Sequence, residues 1–257
     1  MIRTRRIFLI GIDDVWFDEP GFINSKKSIS ILHTQLEIER KKYSVRVIEK
    51  TFLIDLRLPI DKIFNAFEPK SARYPIRKAE RDGIIVKKAT TEKDRQDFIS
   101  FFKNFSEQKK IPNIKEDDLQ WQDIFCAYSP AGEFIGGASF IKANDKTVYR
   151  YKHGATNYTG NANDLLLWHA IQHSKEAGFV FFDLGGVRVN ENKNSYYYRH
   201  YKFKEKFGGV LSDFYTYIKF KKPLSYFMII PDLFVKLFFK DDYTSFINFL
   251  SRIKIMR

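Results

Sequence analysis

Arg73, Arg77 and Arg81 recur every four residues in the segment Ser71–Gly83, and on a helix that spacing sets three guanidinium groups on one face. Planar cations in a row suit the oxygens of a phosphate or an RNA backbone. The same stripe, with Lys78 beside it, also reads as a solvated basic face paired with Glu80 and Asp82. A second group of reactive side chains lies in FVFFDLGGVRVNENKNSYYYRHYKFKEKFGGVLSDFYTY, Phe179 to Tyr217. Asp183 ends an apolar run just before Gly185 and Gly186. A carboxylate there suits proton transfer in a cleft, or a structural bond to the loop backbone. Tyr196, Tyr197, Tyr198 and Tyr201, with Arg199 and His200, offer rings that stack on a base or a sugar, or that pin the loop to the core. His153 and Asp164 are further candidates for moving a proton.

Other chemistries are poorly supplied. His169 and His173 stand four residues apart, a zinc spacing, but no third ligand is evident and the glutamate of an H-E-x-x-H motif is missing, so no metal is expected. Cys126 is the single cysteine, which excludes disulfides and cysteine-based metal sites within the chain. It falls in DIFCAY, a buried-strand pattern unsuited to a reactive thiolate. No serine or cysteine nucleophile with a nearby base stands out, which favours direct attack over a covalent intermediate.

These residues need elements to hold them. VRVIEKTFLIDL (Val45–Leu56) is strand-like, Pro59–Phe67 a short helix with proline early, and Ser71–Gly83 a basic helix closed by Gly83. A strand at Ile84–Ala89 follows. Thr91 and Asp94 resemble a capping box, opening a helix with Phe98, Phe101, Phe102 and Phe105 on one face. A meander follows: strands Asp123–Ser129, Phe134–Ala143 and Lys146–Thr156, joined by short turns. Asn161–Gly178 is a helix, Phe179–Leu184 a strand buried on both faces, and Gly208–Phe220 a final strand beyond a polar loop. From Ile84 the order is β-α-β-β-β-α-β-loop-β, an α+β arrangement with helices packed on a sheet.

The 257 residues suffice for one large domain or two small ones, and 44% hydrophobic content makes the chain globular. The net charge of +13 implies an acidic partner: nucleic acid, anionic lipid or a phosphate-bearing substrate. The apolar run after Arg6 is too short for a signal peptide, and the apolar tail, broken by Pro231 and Lys236, falls short of the ~20 residues of a membrane span. A cytoplasmic protein is expected. In the tail, Phe227, Ile230, Phe234 and Phe238 line one side at helical spacing, with Lys236, Lys240, Arg252, Lys254 and Arg257 supplying charge. That pattern fits a peripheral contact at the inner face of the membrane, and equally a helical hairpin packed on the domain or a second subunit.

Three ordered motifs carry a resemblance. RYPIRKAERDGIIVKKATTEKDRQDFISFF resembles the arginine-rich entry (R-x-x-I-R-K-A-x-x-x-G) of the FemAB-type branch of the GNAT acyltransferases. GATN…NDLLLWHAIQHSKEAGFVFFDLGG resembles the same branch's G-A-x-N…LL-W-x-x-I and F-D-L-G-G, and FKEKFGG its F-K-x-x-F-G ending. The likeness covers roughly Thr51 to Tyr217. It implies a GNAT-like mixed, mostly antiparallel sheet flanked by helices. The expected divisions are a partial N-terminal GNAT-like unit (1–70), the acyltransferase domain (71–222) and an amphipathic helical tail (223–257).

The resemblance further implies an N-acyltransferase acting without metal. Its acyl or aminoacyl group would come from acyl-CoA or aminoacyl-tRNA and go to an amino group of an amino-sugar or peptidoglycan precursor, lipid-linked ones included. Ordinary GNAT enzymes grip the pyrophosphate of coenzyme A with an R/Q-x-x-G-x-G/A turn at a helix N-terminus. This chain has HGATNYTGNANDLL there, which leaves both donors open. Lys204, in FKEKFGG, matches a lysine associated with the reaction centre, where a fixed cation stabilises the oxyanion of the tetrahedral intermediate. Lys204, Asp183 and His153 are therefore the expected catalytic residues, and Arg73, Arg77, Asn157, Asn161, Tyr198 and Phe203 the expected substrate- or donor-binding ones. The other reading left open is a non-catalytic RNA-binding or membrane-surface protein on a decayed GNAT fold.

Overall fold

The computed structural model describes residues 2–7, 10–109, 113–114, 116–157 and 161–221, so the tail expected from residue 223 lies outside the described residues. The chain divides into two compact units, one holding the residues up to Glu49 with those from Asp213, the other Lys50–Ser212. The division differs from a boundary at residue 70. Phe52, Ile54, Leu56, Ile63 and Phe67 all join the core of the second unit, so the segment from 50 to 70 packs there.

In the first unit, β1 (Ile2–Ile7) and β2 (Ile10–Trp16) pair antiparallel, and α1 (Glu19–Asn24) links β2 to the parallel strand β3 (Ile29–Thr34). The two faces of this small sheet carry separate apolar clusters: Val15, Phe22, Leu32, Ile38 and Tyr217 on one side, Ile12, Ile29, Ile31 and Ile218 on the other. That split follows from the period-two alternation of strand side chains.

The second unit is entered along β4 (Val45–Asp55). Next come α2 (Ile60–Asn65), a π-helical turn (Pro69–Arg73), α3 (Tyr74–Arg81) and β5 (Ile85–Lys88). Helix α4 (Glu92–Lys109) opens on the expected box: Asp94 N donates to Thr91 Oγ1 at 3.1 Å, and Thr91 N donates to Asp94 Oδ2 at 3.3 Å. After α5 (Glu116–Leu119) runs the meander β6 (Asp123–Tyr128), β7 (Phe134–Lys142) and β8 (Val148–Thr156), then α6 (Ala162–Glu176) and β9 (Phe181–Val187). β5 through β8 pair antiparallel in order, β8 pairs parallel with β9, and β9 pairs antiparallel with β4. Helix α6 lies in the middle of the main core. Leu165, Leu166, Leu167, Ala170 and Ile171 are fully buried in the cluster that also holds Phe140, Tyr149 and Phe182 of the sheet and Ile76 and Ala79 of α3. Each such leucine contributes about 1.5–3 kcal/mol by burial, so the sheet's shape is set from that side.

The segment expected as a loop after β9 differs. Residues Tyr196–Glu205 form a helix, α7, capped by Ser195, whose Oγ accepts from Tyr198 N at 3.0 Å. Three tyrosines in succession masked a helix whose apolar contacts fall at Tyr201 and Phe203, with Phe207 buried just beyond its end. The chain then enters β10 (Val210–Phe220), which pairs antiparallel with β3 from Tyr215 onward.

Candidate active site

The site begins where two parallel strands part. β8 and β9 pair only at Val148–Phe181, Tyr149–Phe182 and Arg150–Asp183. Beyond that point β8 stays with β7 as far as Thr156, and β9 stays with β4 as far as Val187. The two strands therefore open into a fork whose sides are Tyr151–Thr156 and Leu184–Val187. At its base sits a buried ion pair between Arg150 and Asp183. Asp183 also accepts from Thr51 Oγ1 at 2.5 Å and from Gly185 N at 2.7 Å. This carboxylate is held from three directions, which fixes the turn into the two glycines.

Gly185 has a φ of +81°, and a Cβ there would lie 2.9 Å from the Tyr151 carbonyl and 3.1 Å from Lys204 Nζ. Only glycine fits this left-handed, crowded position. Gly185→Ala is expected to destabilise the protein by about 1–3 kcal/mol. Thermal unfolding checks this, and an unchanged midpoint would contradict it.

Helix α7 lies against the fork. Tyr196, His200 and Lys204, at i, i+4 and i+8, share one face. Lys204 is almost fully buried, donates to the Gly186 carbonyl at 2.9 Å, and sits 5.8 Å from the centre of the Tyr151 ring. Tyr196 stacks on His200 with ring centres 6.0 Å apart. Burial, and then the charge of Lys204, push the His200 imidazole down to about 4. Burial raises the Tyr151 phenol, with Tyr196 adding to the effect. Tyr151 and His200 did not figure among the residues expected to carry the chemistry. The legible signal for His200 was its spacing of four from Lys204, which has meaning only once the segment is known to be helical.

Two clefts adjoin on the same unit. One, of about 780 Å³, is walled by residues that include Asn65, Glu68, Arg73, Arg199, Phe203 and Lys206. The other, of about 490 Å³, holds Lys70, Arg73, Tyr74, Arg77 and Arg81. Arg73 belongs to both, so the arginine stripe read from the sequence continues into a second cationic hollow. The stripe is not mainly an ion-paired face: Lys78 takes Asp82, while Arg77 and Arg81 lie over the rings of Phe64 and Tyr74. Phe203 faces the larger cleft under Lys206 Nζ, 4.5 Å away. Tyr198 lies in the first turn of α7.

His153 lies elsewhere. The β7–β8 register shifts so that Ser139 pairs with His153 and Phe140 with Tyr151, leaving Lys152 as an extra residue. The bulge turns His153 to the face opposite Tyr151, where its Nδ1 is 3.2 Å from Ser139 Oγ and its ring meets Phe102 at 5.8 Å. Burial, and then Lys152, push it down to about 3. Asp164 is tied to Lys206 at 2.5 Å, and burial raises its carboxyl. Asn157 continues the β7–β8 ladder, its N donating to the Ile135 carbonyl at 3.0 Å. Asn161 precedes α6 without a side-chain cap bond, and Tyr158–Gly160 between them lie outside the described residues.

Cys126 is buried, and burial pushes its thiol up to about 12. Among the described residues no group of three or more His, Cys, Asp or Glu is arranged to hold a metal. His173 Nε2 instead lies 3.4 Å from Lys88 Nζ. No described helix is long and apolar enough to cross a membrane.

A crystal structure of FemX superposes with a TM-score of 0.65 at 13% identity, covering 89% of this chain and 86% of that one. This chain has the fold of FemX. Among curated proteins, the lipid II:glycine glycyltransferase of Staphylococcus haemolyticus is 30% identical over 111 residues, 41% of this chain and 24% of that protein. That of Staphylococcus saprophyticus is 29% identical over 85 residues, 33% of this chain and 20% of that protein. The chain thus matches a quarter or less of the length of these relatives. No protein-family model matches it. In this fold the fork between β8 and β9, with Lys204 at its glycines, places chemistry-bearing groups together.

Proposed function

We propose that the chain is an N-acyltransferase that moves an aminoacyl group onto an amino group of a peptidoglycan precursor. The observation that carries this reading is the Lys204 amine seated at the Gly185–Gly186 turn, inside the fork. The acceptor amine attacks the donor carbonyl, and the carbonyl oxygen gains negative charge. Lys204 supplies a cation, and the backbone of the open strand ends supplies N–H donors, for that oxygen. Asp183 and Arg150 hold the fork in shape rather than react, because the carboxylate is occupied by three donors. His153 faces away from Lys204, which supports giving it no part in proton transfer. Asn157 and Asn161 flank the entry to α6 and are proposed to meet the donor there, with Tyr198 and Phe203 on the other side.

For the donor, aminoacyl-tRNA is favoured over acyl-CoA. The two clefts share Arg73 and together are lined by Lys70, Arg77, Arg81, Arg199, Lys202 and Lys206, more cations than a single pyrophosphate engages and a row that suits a polyanion. The acceptor is taken to be a lipid-linked precursor by likeness to the lipid II:glycine glycyltransferases, which would bring the protein to the inner face of the membrane. The test is calorimetric titration with coenzyme A, acetyl-CoA and glycyl-tRNA at two salt concentrations, followed by turnover with lipid II. Salt-sensitive binding of charged tRNA is the expected result. Saturable coenzyme A binding without tRNA binding would overturn the donor assignment. In the same titration, replacing Arg73 and Arg77 by alanine is expected to weaken tRNA binding and to lower the salt slope by about two, one for each phosphate that is no longer neutralised. An unchanged slope would return the stripe to a plain solvated face.

A further inference from the structure

We infer that His200 receives the proton of the attacking amine. The inference rests on the acyltransferase reading of the fork. His200 lies one helical turn before Lys204 on the same face of α7, stacked under Tyr196. Among the described residues nothing takes either of its ring nitrogens in a hydrogen bond. The other candidates are engaged or turned away: Asp183 by Arg150, Asp164 by Lys206, His153 by the bulge at Lys152.

In the step, the amine nitrogen bonds to the donor carbonyl carbon, and the carbonyl electron pair moves to the oxygen beside Lys204. That adduct carries an ammonium far more acidic than the free amine. Its proton passes to the neutral imidazole, and the burial and Lys204 charge that make the imidazolium acidic favour handing that proton on to the leaving atom. The adduct then collapses, the bond from carbon to the donor's leaving oxygen or sulfur breaks, and the imidazolium proton goes to that leaving atom.

The experiment compares the wild type, His200→Ala and His200→Asn with glycyl-tRNA and acetyl-CoA as donors and lipid II as acceptor. Both variants are expected to turn over about a hundredfold more slowly, the range of a lost general base. Added imidazole should restore part of the rate in His200→Ala. With hydroxylamine as acceptor, whose adduct ammonium is acidic enough to lose its proton readily to water, the deficit should shrink to about tenfold or less. A wild-type rate in His200→Asn, or equal deficits with both acceptors and no imidazole rescue, would overturn the role and leave the acyltransferase reading standing. No turnover by the wild type with either donor would overturn that reading and this inference together.

Discussion

Lys204→Ala is expected to lower turnover by about 10²–10³-fold, the range for removing one preorganised oxyanion donor. The expectation follows from where the side chain is. Lys204 is 3% exposed, its Nζ held by the Gly186 carbonyl and by the wall that Gly185 leaves open. A cation so enclosed acts through a lower local dielectric than one in water, so its effect on a developing oxyanion is larger. Stability should change less. Removing the amine frees one carbonyl, at about 1–3 kcal/mol, and also removes a buried cation that was costly to enclose. Lys204→Met keeps the stem and should separate the two effects further. The checks are kcat for glycyl transfer and the urea midpoint of each variant. Matching losses in activity and stability would make Lys204 a structural residue and remove the central support for the proposed chemistry.

Asp183→Ala should instead act first on folding, destabilising the protein by about 3–5 kcal/mol. Arg150 and Asp183 are both buried at the base of the fork, 5% and 0% exposed, and truncating one partner leaves the other charge enclosed without its counter-ion. Because measured stability is a small difference of large terms, that loss is a large share of the total. Replacing both together, Asp183→Leu with Arg150→Met, should recover much of the stability, since a buried pair is often no better than well-packed apolar groups. Activity should not recover with it, because Gly185 N would still lack the carboxylate that holds its turn. Urea unfolding of the three variants decides the point. An unchanged midpoint in Asp183→Ala would show that the pair does not hold the fork.

The strands and helices of the second unit were largely readable from the residues, and the reasons are local. The Thr91–Asp94 box, the unbroken apolar run at Phe179–Leu184 and the stops at Gly83 and Gly178 are written in neighbouring side chains. The arginine stripe was readable too, because helical spacing alone sets Arg73, Arg77 and Arg81 on one face. Less was readable after β9. A run of tyrosines and lysines between two glycine pairs carries a weak local preference, and Tyr196–Glu205 is helical because Tyr201, Phe203 and Phe207 find the core. With the helix unseen, the face shared by Tyr196, His200 and Lys204 was unseen as well.

By itself, then, the sequence determined the α+β order and the arginine face, since each depends on residues close together along the chain. Only the tertiary structure decided which groups meet. The single extra residue at Lys152 sends His153 to one face and leaves Tyr151 on the other, because strand side chains alternate and a bulge resets the count. The early end of the β8–β9 pairing opens the fork, and the packing of α7 against β9 brings Lys204 to the Gly186 carbonyl. Strand register and helix docking are settled by contacts between residues far apart in the chain, and no short stretch of sequence contains them.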